Sequence, residues 1–311
     1  MTHKDKGALR FGLWNNKGGV GKTFLSFILG TEYAKKNSET KVILADMCPQ
    51  ANLSEIVLGG DRKGREHLSA ILAMKEKRKT VGGYLESRIS SPHQLTRNET
   101  SFLLHANKYN DKIPQNLFLL CGDPSLEIQA QVINQIGSQT LPVNAWKNVH
   151  DWLKDLILAC ERKLGQNNIL VLIDCNPSFA AYTELAMIAS DRLIIPCSSD
   201  GSSARAVNNV ATLLYGDNLN NYYTTVNFST RAKDSDTSLP LIHAVVLNRS
   251  TQYDKKASKA FSAMFSAIKS RIIEFHGRAS KYFVAEDPEN LFNDPVRGRP
   301  RPLGRGRIAR G

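Results

Sequence analysis

No run in this 311-residue chain is long and apolar enough to span a bilayer, and Met1 to Arg10 is too polar for a secretory leader. A cytoplasmic protein that does not use the membrane is expected. The five cysteines, Cys48, Cys121, Cys160, Cys175 and Cys197, are scattered without a C-x-x-C pair. That spacing speaks against a disulfide framework, a zinc site or an iron–sulfur cluster, and leaves reduced buried thiols as the default. The chain has no internal repeat, and no Pro/Gly-rich linker divides it before residue 290. Acid is scarce relative to base: 29 Asp and Glu face 41 Lys and Arg, a formal charge of +12. Such an excess favours polyanionic partners.

What is present is most concentrated at Asn15-Asn16-Lys17-Gly18-Gly19-Val20-Gly21-Lys22-Thr23. This run follows the apolar segment Phe11 to Trp14 and precedes an apolar pattern at Phe24, Leu25, Phe27, Ile28 and Leu29. A glycine-rich turn between a strand and a helix cradles phosphate, because its backbone N–H groups turn inward and the helix adds its positive dipole end. In that setting Lys22 can reach the β- and γ-phosphates and the Thr23 hydroxyl can ligate Mg²⁺.

Two further segments, Lys41 to Asp46 and Asn168 to Asp174, read as buried parallel strands that each end on a carboxylate. Ligands bind at that end of a doubly wound sheet. Strand-like runs recur at Asn116 to Cys121, Asp191 to Pro196 and Leu241 to Leu247. Helical patterns at Lys22 to Lys36, Trp146 to Lys163, Tyr182 to Ser190, Ser203 to Tyr215 and Lys255 to Phe275 separate most of them. The alternation predicts an α/β fold, a doubly wound, mostly parallel sheet with helices on both faces. One domain over residues 1–294 is expected, with an insertion around 59–115 that carries short helices such as Arg65 to Lys77, and then a tail at 295–311.

The K-G-G-x-G-K-T run, with its additional Lys17, resembles the deviant P-loop of the ParA/MinD family of ATPases. The likeness follows motif order from Phe11 to about Tyr282 and is most specific over Lys17 to Thr23. It implies ATP and Mg²⁺ as cofactors and a homodimer in the ATP state, in which Lys17 reaches the partner's nucleotide. Asp174-Cys175-Asn176-Pro177-Ser178 is similar to the family's D-x-P-P-S, whose aspartate holds Mg²⁺ through water; Asn176 stands where proline is usual. The strand ending at Asn248 resembles the strand that reads adenine, with the Asn on the base edge. The resemblance thus implies nucleotide contacts at Lys17, Gly18, Gly19, Val20, Gly21, Lys22, Thr23, Phe24 and Asn248. It implies a metal set of Thr23, Asp46 and Asp174, and catalytic contributions from Lys17, Lys22 and Asp46.

Two departures stand out. The family's D-x-D-P-Q is here Asp46-Met47-Cys48-Pro49-Gln50, so Cys48 replaces the aspartate associated with positioning the attacking water. Slow hydrolysis is expected. Phe24 replaces the hydroxyl residue that commonly follows Gly-Lys-Thr, which leaves its backbone N–H as the remaining donor to the α-phosphate.

Half of the net charge lies in the tail, where Arg297, Arg299, Arg301, Arg305, Arg307 and Arg310 occur without an acid. Arg/Gly/Pro composition buries no core and suits a polyanion bound through counterion release. Upstream, Ala257, Ala260, Phe261, Met264, Phe265, Ile268 and Ile272 form one helical stripe, and Lys255, Lys256, Lys259, Lys269 and Arg271 lie largely off it. Together with the resemblance, this leads to an ATPase whose ATP-bound dimer binds DNA without sequence preference, associates with the nucleoid, and partitions or positions DNA or another large cargo. A partner protein that stimulates hydrolysis is implied. The short segment before the P-loop leads to the expectation that no helix-turn-helix domain precedes it. A membrane switch would need a bulky amphipathic C-terminus, which Leu303 and Ile308 alone do not provide. A slowly hydrolysing, nucleotide-locked scaffold or regulatory switch is the alternative that Cys48 raises.

Overall fold

The computed structural model describes residues 8–292 except 75–77, 166, 199–202, 225, 249–251, 254–255 and 258. Seven strands form one sheet: β1 (Leu9–Leu13), β2 (Lys41–Met47), β3 (Leu103–His105), β4 (Leu117–Leu120), β5 (Ile169–Cys175), β6 (Arg192–Ser198) and β7 (Leu241–Asn248). Their order is β3-β4-β2-β5-β1-β6-β7, parallel throughout except for β3, which pairs antiparallel with β4 at one edge. β2, β5 and β6 are buried along nearly their whole length, as strands covered on both faces must be. The α/β, doubly wound arrangement expected from the alternation is the one observed.

Successive residues of a strand point to opposite faces, and the core divides accordingly. Ile43, Ala45, Met47, Val171 and Ile173 belong to one apolar cluster, and Val42, Leu44 and Leu172 to the other. Helices α1 (Lys22–Lys36), α2 (Asn52–Val57) and α3 (Asp61–Leu72) supply the second cluster through Ala34, Leu53, Val57, Leu68 and Ile71. Helices α4 (Val81–Ser90), α5 (Leu126–Gly137), α6 (Ala145–His150), α7 (Trp152–Leu164), α8 (Ala181–Ile188), α9 (Ser203–Tyr215) and α10 (Phe228–Asp234) supply the first. In α7 the fully buried Leu153, Leu156 and Ile157 contribute about 1.5–3 kcal/mol each. α1 approaches β2 so closely that a Cβ on Gly30 would press on the Leu44 side chain at 2.6 Å.

Several boundaries differ from the periodicity. The single helix expected from Trp146 to Lys163 is two, α6 and α7, divided at Asp151, which ends one and opens the next while keeping helical dihedrals. α3 begins before Arg65 and ends before Lys77. The stretch around 59–115 holds α3, α4 and β3, and β3 extends the main sheet. A two-stranded ribbon of β8 (Gln252–Tyr253) and β9 (Lys256–Ala257) precedes α11 (Lys259–Ala279), which starts later than Lys255 and runs past Phe275. Among the described residues, no helix is long and apolar enough to cross a membrane.

Candidate functional site

β1, β2 and β5 end side by side at one end of the sheet, and the functional groups collect there. The glycine-rich loop leaves β1 after the fully buried Trp14 and Asn15. Asn15 anchors it: Nδ2 donates to Pro196 O at 2.7 Å, and Oδ1 accepts from Lys17 N at 2.9 Å. Gly21 has φ 87°, in the left-handed region, and a Cβ there would collide with the Asn248 amide, so both conformation and space demand glycine. Asn248 itself donates from Nδ2 to Val20 O at 3.1 Å, which sets the end of β7 against the loop.

α1 starts at Lys22 with no acid in its first turn and no side-chain cap, so its N-terminal N–H groups keep their positive field for an anion. Lys22 is buried, and its Nζ donates to Asn15 O at 3.0 Å and to Lys17 O at 2.9 Å. Burial lowers its pKa from the usual lysine range, with Asp174 opposing that shift. The ammonium therefore stands inside the loop. Lys17 Nζ donates to Ser198 Oγ at 3.1 Å, across the end of β6. Gly18 and Gly19 meet nothing within 4 Å of a built Cβ, and Phe24 is 59 % exposed on the first turn of α1.

The two carboxylates face each other from neighbouring strands. Asp46 is fully buried: Oδ1 accepts from Cys48 N at 3.1 Å, and Oδ2 accepts from Ser54 N at 2.9 Å and Ser54 Oγ at 2.8 Å. Asp174, also fully buried, accepts from Ser26 Oγ at 3.3 Å. Burial raises the pKa of both acids; for Asp174 the charge of Asp46 adds to it, while Thr23, Lys22 and Ser26 pull it back. Cys48 Sγ lies 3.8 Å from Asp174 O and 4.0 Å from Asp174 Oδ2. Burial, then the two carboxylates, push its thiol far above the ordinary range. Among the described residues, Asp46, Cys48 and Asp174 form the only cluster whose ligand atoms all lie within 4.8 Å of one another. The two acidic loops are tied by Asn176 Nδ2, which donates to Gln50 Oε1 at 3.2 Å.

A glycine-rich loop around a buried lysine, beside two facing aspartates at the strand ends, is a phosphate site in this fold. The sequence pattern of the CobQ/CobB/MinD/ParA nucleotide binding domain matches residues 12–269. The chain belongs to this family. An uncharacterized protein of Methanocaldococcus jannaschii is 27% identical over 183 residues, 59% of this chain and 56% of that protein. The match thus spans little more than half the length of that relative. Among solved structures, apo McdA of Cyanothece shares the fold with TM-score 0.56 at 16% identity, over 86% of this chain and 82% of that one. A plasmid partition protein of Borrelia burgdorferi B31, bound to AMPPNP, superposes with TM-score 0.53 at 17% identity, over 85% and 84%.

The family motifs named the loop, Asp46 and Asp174, and the fold brings them together. It also enlists residues the sequence did not single out. Asn15 braces the loop, Ser198 holds Lys17, Ser26 holds Asp174, and Ser54 locks Asp46 while its Oγ accepts from Gly122 N at 2.9 Å. Apart from the local Asn15–Lys17 bond, no spacing rule pairs these residues, because each bond joins separate elements of the fold.

The expected basic face is partly neutralised. Lys269 pairs with Glu289 at 2.7 Å and Arg271 with Glu274 at 3.0 Å. Lys256 lies in β9 and Lys259 opens α11. Lys255, Arg297, Arg299, Arg301 and the tail from 295 lie outside the described residues. The buried stripe of α11 is carried by Ile268, Ile272 and Phe275.

Proposed function

We propose that the protein is a ParA-like ATPase whose ATP-bound state dimerises, binds DNA without sequence preference, and partitions or positions DNA or another large cargo. The observation that supports it best is Lys22, held by loop carbonyls at the unneutralised start of α1 with Asp46 and Asp174 beside it. ATP would lie in this cradle through its phosphates, with Gly18, Gly19, Val20, Gly21 and the Phe24 N–H along the chain, and Asn248, whose amide lies against Gly21, would meet the base.

Mg²⁺ fits as well. Two fully buried carboxylates with raised pKa values lack any ion pair among the described residues, and a divalent cation would supply the missing charge. Thr23 and Asp174 would hold it, with Asp46 in its hydration shell; once bound it would offset charge on the phosphates. Lys22 would neutralise the terminal phosphates, and Lys17, released from Ser198, would serve the partner's nucleotide. The excess of basic residues supports a polyanion as partner. A protein that accelerates turnover would complete the cycle.

The test is light scattering in ATP, ADP and no nucleotide, followed by turnover with and without duplex DNA. An ATP-specific dimer with DNA-sensitive turnover is expected; a monomer in every state refutes the reading. The second reading, a nucleotide-locked scaffold, draws support from Cys48, whose buried neutral thiol is a poor group for orienting water. An ATP-locked dimer without turnover or DNA binding would establish it.

A further inference from the structure

We propose that Cys48, Asp46 and Asp174 form a site for one thiophilic divalent cation of the Co²⁺, Zn²⁺ or Cd²⁺ class. The proposal rests on reading this crevice as a divalent-ion site, and departs from that reading in its ligands. A set of oxygens alone suits Mg²⁺, a hard ion that binds sulfur poorly; a thiolate beside two carboxylates suits softer ions.

Three observations carry it. The ligand atoms of Asp46, Cys48 and Asp174 already lie within 4.8 Å of one another, with Cys48 Sγ 4.0 Å from Asp174 Oδ2. Metal–sulfur and metal–oxygen bonds of about 2.3 and 2.1 Å at tetrahedral angles set such atoms ~3.6 Å apart, so the Cys48–Asp174 pair closes with a few tenths of an ångström and no pair needs much more than about an ångström. Second, the ion would find lone pairs: Asp46 Oδ2 is filled by the two Ser54 bonds, while Oδ1 accepts from Cys48 N and the carboxylate also meets the Cys48 thiol, a contact the ion replaces when that thiol loses its proton.

The third is charge. Asp46 and Asp174 are fully buried, and no salt bridge reaches either among the described residues. The nearby Lys22 Nζ donates instead to the carbonyls of Asn15 and Lys17. Two buried carboxylates whose one neighbouring cation, Lys22, bonds the loop instead of them call for another. On binding, the S–H bond of Cys48 breaks, an S–metal bond forms, and the proton leaves to solvent: R–SH + M²⁺ → R–S–M⁺ + H⁺. The three ligands leave a fourth position open for water or a phosphate oxygen.

The experiment titrates the full chain with Co²⁺ in the absence of nucleotide. It reads the near-ultraviolet thiolate-to-cobalt charge-transfer band and proton release into weak buffer. One equivalent of Co²⁺ should give the band with at least one proton per ion, the thiol's, and a further fraction from the carboxyl pair. The band should vanish in Cys48→Ser and persist in Cys121→Ser and Cys175→Ser. Cys48→Asp, a second variant in case serine perturbs folding, should bind Co²⁺ with no thiolate band. ATP binding in Mg²⁺ is measured in parallel. A wild type that binds ATP but shows no band overturns the proposal and leaves the nucleotide reading intact, as does a band that survives in Cys48→Ser and Cys48→Asp. A Cys48-dependent band without ATP binding upholds the metal site and overturns the nucleotide reading.

Discussion

Asp46 and Asp174 are register partners on adjacent parallel strands, so two fully buried carboxylates stand side by side at the end of β2 and β5. Burial raises both pKa values, and mutual repulsion raises that of Asp174 further. An acid with a folded-state pKa above its unfolded value holds its proton more tightly when folded. Its stabilising contribution is therefore present below the ordinary carboxylate range and declines as pH rises toward the raised values.

Asp174→Asn should accordingly stabilise the nucleotide-free protein at neutral pH, by about 1.4 kcal/mol for each pK unit of strain relieved. The advantage should close as pH falls to about 4, where the wild-type acids are protonated. Thermal melts of both proteins across this range check it. An advantage independent of pH would show that the paired charges are not its source.

Lys17→Ala removes the ammonium that rests on Ser198 Oγ. Nucleotide affinity should stay within a few-fold of wild type while the ATP-dependent dimer is lost. Light scattering with ATP reads the outcome, and an unchanged dimer would assign the cross-subunit charge to another residue.

Asn15→Ala removes the bonds that Asn15 makes to the buried Pro196 carbonyl and to the Lys17 N–H. The expected loss is about 1–3 kcal/mol of stability, together with weaker nucleotide binding because the loop loses its brace. Chemical denaturation and ATP titration measure the two effects separately. Full stability with normal affinity would mean that the loop holds its shape without Asn15.

Cys48→Asp restores a strong acceptor beside Asp174, where the thiol sits 4.0 Å from Oδ2. Groups that position water or take its proton contribute on the order of 10²–10⁴-fold, so single-turnover hydrolysis should rise within that range. A wild-type rate equal to the variant's would remove the support for a locked scaffold.

Deleting residues 295–311 removes six arginines. If each neutralises a phosphate, the slope of log affinity against log salt on duplex DNA should flatten by about 0.9 for every arginine removed. Binding isotherms at several salt concentrations test this. Identical slopes for the full and shortened chains would exclude the tail from DNA binding.

The sequence determined the phosphate loop, the family, the parallel α/β architecture and the two acid-tipped strands. These are local signals: a glycine pattern, the periodicity of apolar residues, and a carboxylate at the end of a buried run. It placed β5 and β7 closely because long apolar runs have few alternative conformations in a covered sheet. It missed the division at Asp151, since both sides of it continue the same helical pattern, and it missed β3, whose three residues are too few to show a period. Tertiary structure alone decided that Asp46 and Asp174 share a register, that Ser54 fills one oxygen of Asp46, and that Cys48 faces Asp174 from 126 positions away in the chain. Strand order sets those distances, and strand order follows from how helices cover the two faces of the sheet rather than from any pattern within one segment.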